Sequence, residues 1–211
     1  MTTPTDVPSD LFLARLTDAM LVLAGDAGWT RSTLDAAARA AGLTPGEAIL
    51  AAPDGVSTVL RALAERAARA AGEAVADPAV ARLKVREKVK AGVMAWIGTW
   101  APHRAAVKRA AGSPASILAG PGGLWAASDA IWSGLGDKST DYNWYTKRMT
   151  LVAVLGSTFT AWMADEDLAL LDAFLDRRIE NVMQIETLKA EARKAFANLP
   201  HPLDILGRAG R

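Results

Sequence analysis

The residues best suited to chemistry stand in "DYNWYTKR", residues 141–148. At about 100° per residue, Asp141, Trp144, Tyr145 and Arg148 share one face of a helix, setting flat amphipathic rings beside a cation and a carboxylate. Tryptophan, tyrosine and arginine dominate binding hot spots, so the chemistry on offer is recognition. A plainer reading, in which Asp141 only caps the helix, stands beside it. Residues 149–163 then carry no charge, and such a run must be enclosed by other helices.

Groups that make and break bonds are scarce. His103 and His201 lie far apart, and neither follows a glutamate at the spacing of helix-borne metal sites. Phosphate-binding loop, dinucleotide fingerprint, nucleophile elbow and HExxH motif are all missing from the sequence. No catalytic residue, metal site or cofactor is expected, and catalysis by dispersed carboxylates is the weaker alternative. With no cysteine, disulfides and thiolate chemistry are excluded. Lysine and arginine total 24 against 23 acidic residues, a formal charge of +1, which creates no global field to gather nucleic acid.

The elements that position these residues read as helices throughout, giving an all-α class. Leu13, Leu16, Met20, Leu23 and Ala27 recur at helical spacing behind Asp10 as N-cap. "TRSTLDAAARAAG" makes a second short helix, and Thr44, Pro45 and Glu47 open a third with a capping box and proline at its first position. Together they look like a helix-turn-helix. Residues 44–53 contain neither arginine nor lysine, so the unit lacks what reads base edges and phosphates and is expected to be structural. A fourth helix runs from Val56 to about Ala76 and a fifth from about Arg82 to Ala101, with Val85, Val89, Val93, Trp96 and Trp100 along one stripe. Pro102 ends it, and residues 112–123 are a loop by composition. Leu124 to Leu135 forms the next helix, with Trp125, Asp129 and Trp132 aligned beside its apolar face. After "GDKST" comes the helix opened by Asp141, and Leu168, Leu171, Leu175, Ile179 and Val182 mark another. The division expected is 1–55 for the helix-turn-helix-like unit, 56–187 for a ligand-binding helical domain and 188–211 for a basic tail.

"STDYNWYTKR", with "FLDRRIENVM" some thirty residues on and a charge-poor helix-turn-helix in front, resembles the Coq-nine family of accessory proteins of coenzyme Q (ubiquinone) biosynthesis. The likeness is close at 139–148, good through the second half and architectural in the first. It implies a TetR-like helical bundle, usually a homodimer, without catalytic activity. Such a protein binds isoprenoid lipid inside its C-terminal domain and presents the quinone precursor to the di-iron demethoxyubiquinone hydroxylase. By motif, the family's hydroxylase-binding patch falls on Asp141, Trp144, Tyr145 and Arg148, and Trp132 is added from the neighbouring helix. A TetR-type ligand-responsive regulator is the alternative.

Each isoprene unit adds four or five apolar carbons, so exposing one to water costs about 3 kcal/mol at ~0.8 kcal/mol per CH₂. A pocket is therefore expected around Trp96, Trp100, Leu151, Leu155 and Phe159, residues that periodicity equally assigns to plain core, with isoprenoid or phospholipid as its occupant. In 188–199, Leu188, Lys189, Arg193 and Phe196 suggest transient membrane contact, since basic residues outnumber acidic ones five to two over 187–211. The N-terminal "MTTPTDVPSD" carries no targeting pattern, and with the Ala/Gly/Arg-rich composition this suggests a bacterial protein of the cytoplasm, peripheral to the inner membrane.

Overall fold

In a computed structural model the chain is described over residues 8–112, 120–140, 142–165 and 167–197, apart from the side chains of Tyr142, Met183 and residues 185–197. Short polar caps start the N-terminal helices. α1 (Pro8–Ala27) begins earlier than expected, so Asp10 lies in its first turn, where a carboxylate complements the positive helix end. α2 (Arg31–Ala40) is capped by Thr30, whose hydroxyl accepts from Thr33 N at 3.1 Å. In α3 (Pro45–Ala51), Thr44 Oγ1 accepts from Glu47 N at 3.3 Å, and Glu47 Oε2 accepts from Thr44 N at 2.7 Å. The capping box is complete. The outer face of α3 presents Ile49 and Leu50 to solvent.

α4 (Val56–Ala76) has the bounds its sequence punctuation gives, and buries Val59, Leu63, Ala67 and Ala71 along one face. Its alanines let neighbours approach closely. α5 (Val85–Trp100) and α7 (Pro121–Gly134) pack on it most extensively. α5 starts three residues later than expected, after a 3₁₀ turn at 80–82. Residues 104–111, to which periodicity assigned nothing, form α6 (Arg104–Ala111), burying Ala106, Val107 and Ala110. Its arginines secure it at both ends. Arg104 donates to the carbonyls of Trp162 and Met163 at 3.0 Å, and Arg109 to Gly25 O at 2.7 Å.

α8 (Tyr142–Ala164) lies on α7, and α9 (Leu168–Ala197) lies on α8 and α5. Lys90 ties α9 to α5 through Asp172 and Asp176, both at 2.8 Å, and Arg178 Nε donates to Ser157 Oγ at 3.1 Å. α9 runs unbroken through residue 188, where the basic tail was expected to begin. All described regular structure is helical, as the sequence required. Among the described residues no helix is long and apolar enough to cross a membrane.

Candidate functional site

The site starts where α7 stops. Gly136 has φ +72°, a conformation other residues adopt only under strain. From it, Gly136 N donates to Ser133 O at 2.9 Å and Asp137 N to Trp132 O at 3.1 Å, the paired bonds of a Schellman motif. This turn aims Asp137 inward, with its side chain only 7 % exposed. The carboxylate then accepts from Ser139 Oγ at 2.7 and 2.8 Å, Lys147 Nζ at 2.8 Å and Arg148 Nη1 at 3.2 Å. The Lys147 and Ser139 hydrogen bonds hold this carboxyl well below the usual carboxylate range, burial opposes them, and Arg148 adds to them.

Arg148 is 2 % exposed, beneath the surface that its helical face suggested it would occupy. Its Nε donates to Asp129 Oδ1 at 2.7 Å. A buried guanidinium is tolerable only when paired in this way. Ser128 Oγ donates to Arg148 O at 2.9 Å, and Trp132 Nε1 to Lys147 O at 3.2 Å, so α7 stitches α8 along the same two residues. Two cations and two carboxylates balance at the joint.

Above this joint stand three rings. Trp144 lies over Arg148, with the guanidinium carbon 4.1 Å from the ring centroid. Tyr145 meets Trp144 edge-on at 4.7 Å, and Trp125 closes the group at 5.6 Å from Trp144 and 6.4 Å from Tyr145. Tyr145 is 60 % exposed and Met149, one turn on, 57 %. Trp125 was missed as a site residue, although its alignment with Asp129 and Trp132 on α7 was the available signal. Trp132 lies below the lip, half-buried against Lys147, whose Nζ is 5.3 Å from its ring. Asp141 lies outside the described residues.

The expected pocket residues cluster differently. Trp96 and Trp100 are fully buried, and Trp96, Trp100, Phe159 and Trp162 contact ring to ring at 5.7–5.8 Å. Leu155 is buried with them. Leu151 borders a cavity, an apolar slot of about 90 Å³ that Val89, Val154, Ile179 and Val182 also line, with Trp132 and Lys147. Arg86 and Ile179 border both this slot and a surface groove of about 900 Å³ between α5 and α9, where Phe174 and Arg177 lie. Side chains of Leu188, Lys189, Arg193 and Phe196 lie outside the described residues. Among the described residues, no three histidine, aspartate or glutamate side chains gather as metal ligands.

A family model described as COQ9 matches residues 119–186, the stretch that carries α7, α8 and much of α9. The chain is also 26 % identical over 186 residues to "Ubiquinone biosynthesis protein COQ9, mitochondrial" of rat, and 24 % identical over 186 residues to the human protein of that name. The matched stretch and these relatives make the chain similar to COQ9 proteins.

Both alignments take in 81 % of this chain, so the similarity extends well beyond the stretch that the family model matches. A Xenopus tropicalis protein of the same name is 36 % identical over 66 residues, 30 % of this chain and 21 % of that protein. The chain spans a little under three fifths of the length of its mammalian relatives, 58 % for rat and 57 % for human. The expected bacterial cytoplasmic setting is corrected by these names: the rat, human and cow relatives are each called mitochondrial.

Proposed function

We propose that this chain is a COQ9-family protein that serves ubiquinone biosynthesis without catalysing a step itself. It holds an isoprenoid quinone precursor at the α5–α8–α9 cleft and presents it to the di-iron demethoxyubiquinone hydroxylase, which docks on the rings of Trp125, Trp144 and Tyr145. The observation that carries this reading is the three-ring lip, exposed at Tyr145 and seated on a charge-balanced joint in which Arg148 and Asp137 are buried, within the stretch matched by the family model. Rings held rigidly at a surface lose little entropy when a partner covers them. The pathway comes from the names of the relatives.

The cleft also supports the lipid half. Ligand pockets begin at about 300 Å³, so the slot of about 90 Å³ admits only an end of the cargo. The adjoining groove of about 900 Å³ has room for the remainder, with Phe174 and Ile179 as apolar walls. This seat replaces the tryptophan cluster, which is closed core.

Two measurements test the proposal together. Native mass spectrometry of the purified protein is expected to find co-purified isoprenoid or other lipid, and Trp144→Ala is expected to weaken hydroxylase binding at least tenfold while shifting the melting temperature by no more than a few degrees. Lipid-free protein, together with unchanged binding by Trp144→Ala, would overturn it.

A further inference from the structure

We infer that Asp137 is the positioning residue of the ring lip: from the turn after α7, its carboxylate fixes Lys147 and Arg148 so that the guanidinium lies under Trp144 and the rings stand at the surface. The inference rests on the reading of the lip as a docking surface and adds the residue that sets its geometry.

Three observations separate Asp137 from its neighbours. Its bonds to Lys147 and Arg148 span ten and eleven residues and cross from the end of α7 to the second turn of α8, so they close the loop on which the lip is built. Both its oxygens are engaged, Oδ1 by Ser139 and Lys147 and Oδ2 by Ser139 and Arg148. Its side chain is 7 % exposed, whereas that of Asp129, the other carboxylate on Arg148, is 45 % exposed. A docking partner can therefore reach Asp129 directly, and loss of Asp129 has two explanations. Asp137 acts only through the residues it holds.

The geometry transmitted is specific. Arg148 Nη1 donates to Asp137 Oδ2 and, at 3.4 Å, to Trp144 O, while the same guanidinium faces the Trp144 ring. Rotation of the guanidinium off Asp137 changes the ring contact and the backbone contact together. Cation–π attraction depends on the cation lying over the ring face, so Trp144 loses its seat, and Tyr145 and Trp125, which lean on Trp144, lose theirs.

The test uses the full chain and the di-iron hydroxylase. Near-ultraviolet circular dichroism reads ring packing, and the difference between wild type and Trp144→Ala identifies the bands of the lip. Asp137→Asn is expected to lose those bands with far-ultraviolet helicity intact, and to bind the hydroxylase at least tenfold more weakly through faster dissociation. Asp172→Asn, which weakens the α5–α9 tie instead, is expected to keep both bands and affinity. Lip bands and affinity equal to wild type in Asp137→Asn would overturn the assignment. Should Asp137→Asn fail to fold, Ser139→Ala keeps every charge and frees the carboxylate to rotate. It has to reduce the same bands, and an unchanged spectrum overturns the assignment as well. If wild type itself does not bind the hydroxylase, the docking reading fails, and the ring bands alone still decide the role of Asp137.

Discussion

Arg148 shows how a residue type that usually meets water becomes an internal part. The effective penalty for burying an ion is several kcal/mol, and removing one partner of a buried pair costs about 3–5 kcal/mol. Asp129 and Asp137 meet this penalty, and the pH response of the fold should report it. Because the hydrogen bonds of Lys147 and Ser139 lower the carboxyl of Asp137 in the folded state, its contribution is fully present above the unfolded value of about 3.9 and is lost as pH falls through the folded value. Thermal melts of wild type and Asp137→Asn should therefore differ by a constant gap above about pH 5, narrowing below about pH 4. A gap that stays constant down to pH 3 would mean that Asp137 is not held as a carboxylate. At this scale, the sequence showed that Trp144, Tyr145 and Arg148 share a helix face, because the period alone fixes that angle. It did not show that the face turns inward at Arg148, because the cover comes from Asp129, nineteen residues earlier, and from a turn set by Gly136. Four of the five pocket residues, Trp96, Trp100, Leu155 and Phe159, lie in closed core for a similar reason: period identifies an enclosed face and is silent on whether ring or cavity lies opposite.

At the scale of elements, α7 contributes Trp125 to the lip, holds α8 beneath the other two rings, and is itself placed by its fit to α4. A Cβ on Gly134 would lie 2.7 Å from Gly72 O and 2.9 Å from Val75 Cγ2, and one on Gly72 would lie 3.1 Å from Ala130 O. Backbone meets backbone here, so neither side can yield by a rotamer change. Gly134→Ala should push α7 away from α4 and destabilise the fold by about 1–3 kcal/mol, the usual cost of overpacking. For a chain of this size that is roughly 2–4 °C of melting temperature per kcal/mol. Gly122→Ala, on the same helix with nothing within 4 Å of the added methyl, is the control and should melt at or slightly above the wild-type temperature. Equal melting temperatures for the two variants would sink the close-packing argument. The bounds of α4 were legible because Gly55 and Asp77-Pro78 punctuate both ends. α6 was not, since the face it buries is mostly alanine and gives little periodic signal. The break placed at residue 188 followed charge composition, which does not end a helix.

Across the whole molecule, the near-zero net charge means that recognition depends on local arrangement, and two local arrangements meet at one pair of residues. Trp132 and Lys147 line the apolar slot, and Lys147 also donates to Asp137 beneath the lip. The proposed cargo seat and the proposed docking surface therefore share a wall. Three substitutions can separate them. Val182, half-buried where α9 borders the slot, becomes an obstruction as Val182→Trp, expected to reduce bound isoprenoid severalfold in native mass spectra while hydroxylase binding persists. Tyr145→Ala, at the exposed rim of the lip, should do the reverse. Trp132→Ala removes the slot wall, the indole N–H to Lys147 O and the ring under Lys147 Nζ in one step, and should lower both. If Val182→Trp carries its full complement of lipid, the cargo sits elsewhere. If Trp132→Ala impairs only one of the two, the seat and the lip act independently, and cargo bound at one end has no route to influence docking at the other.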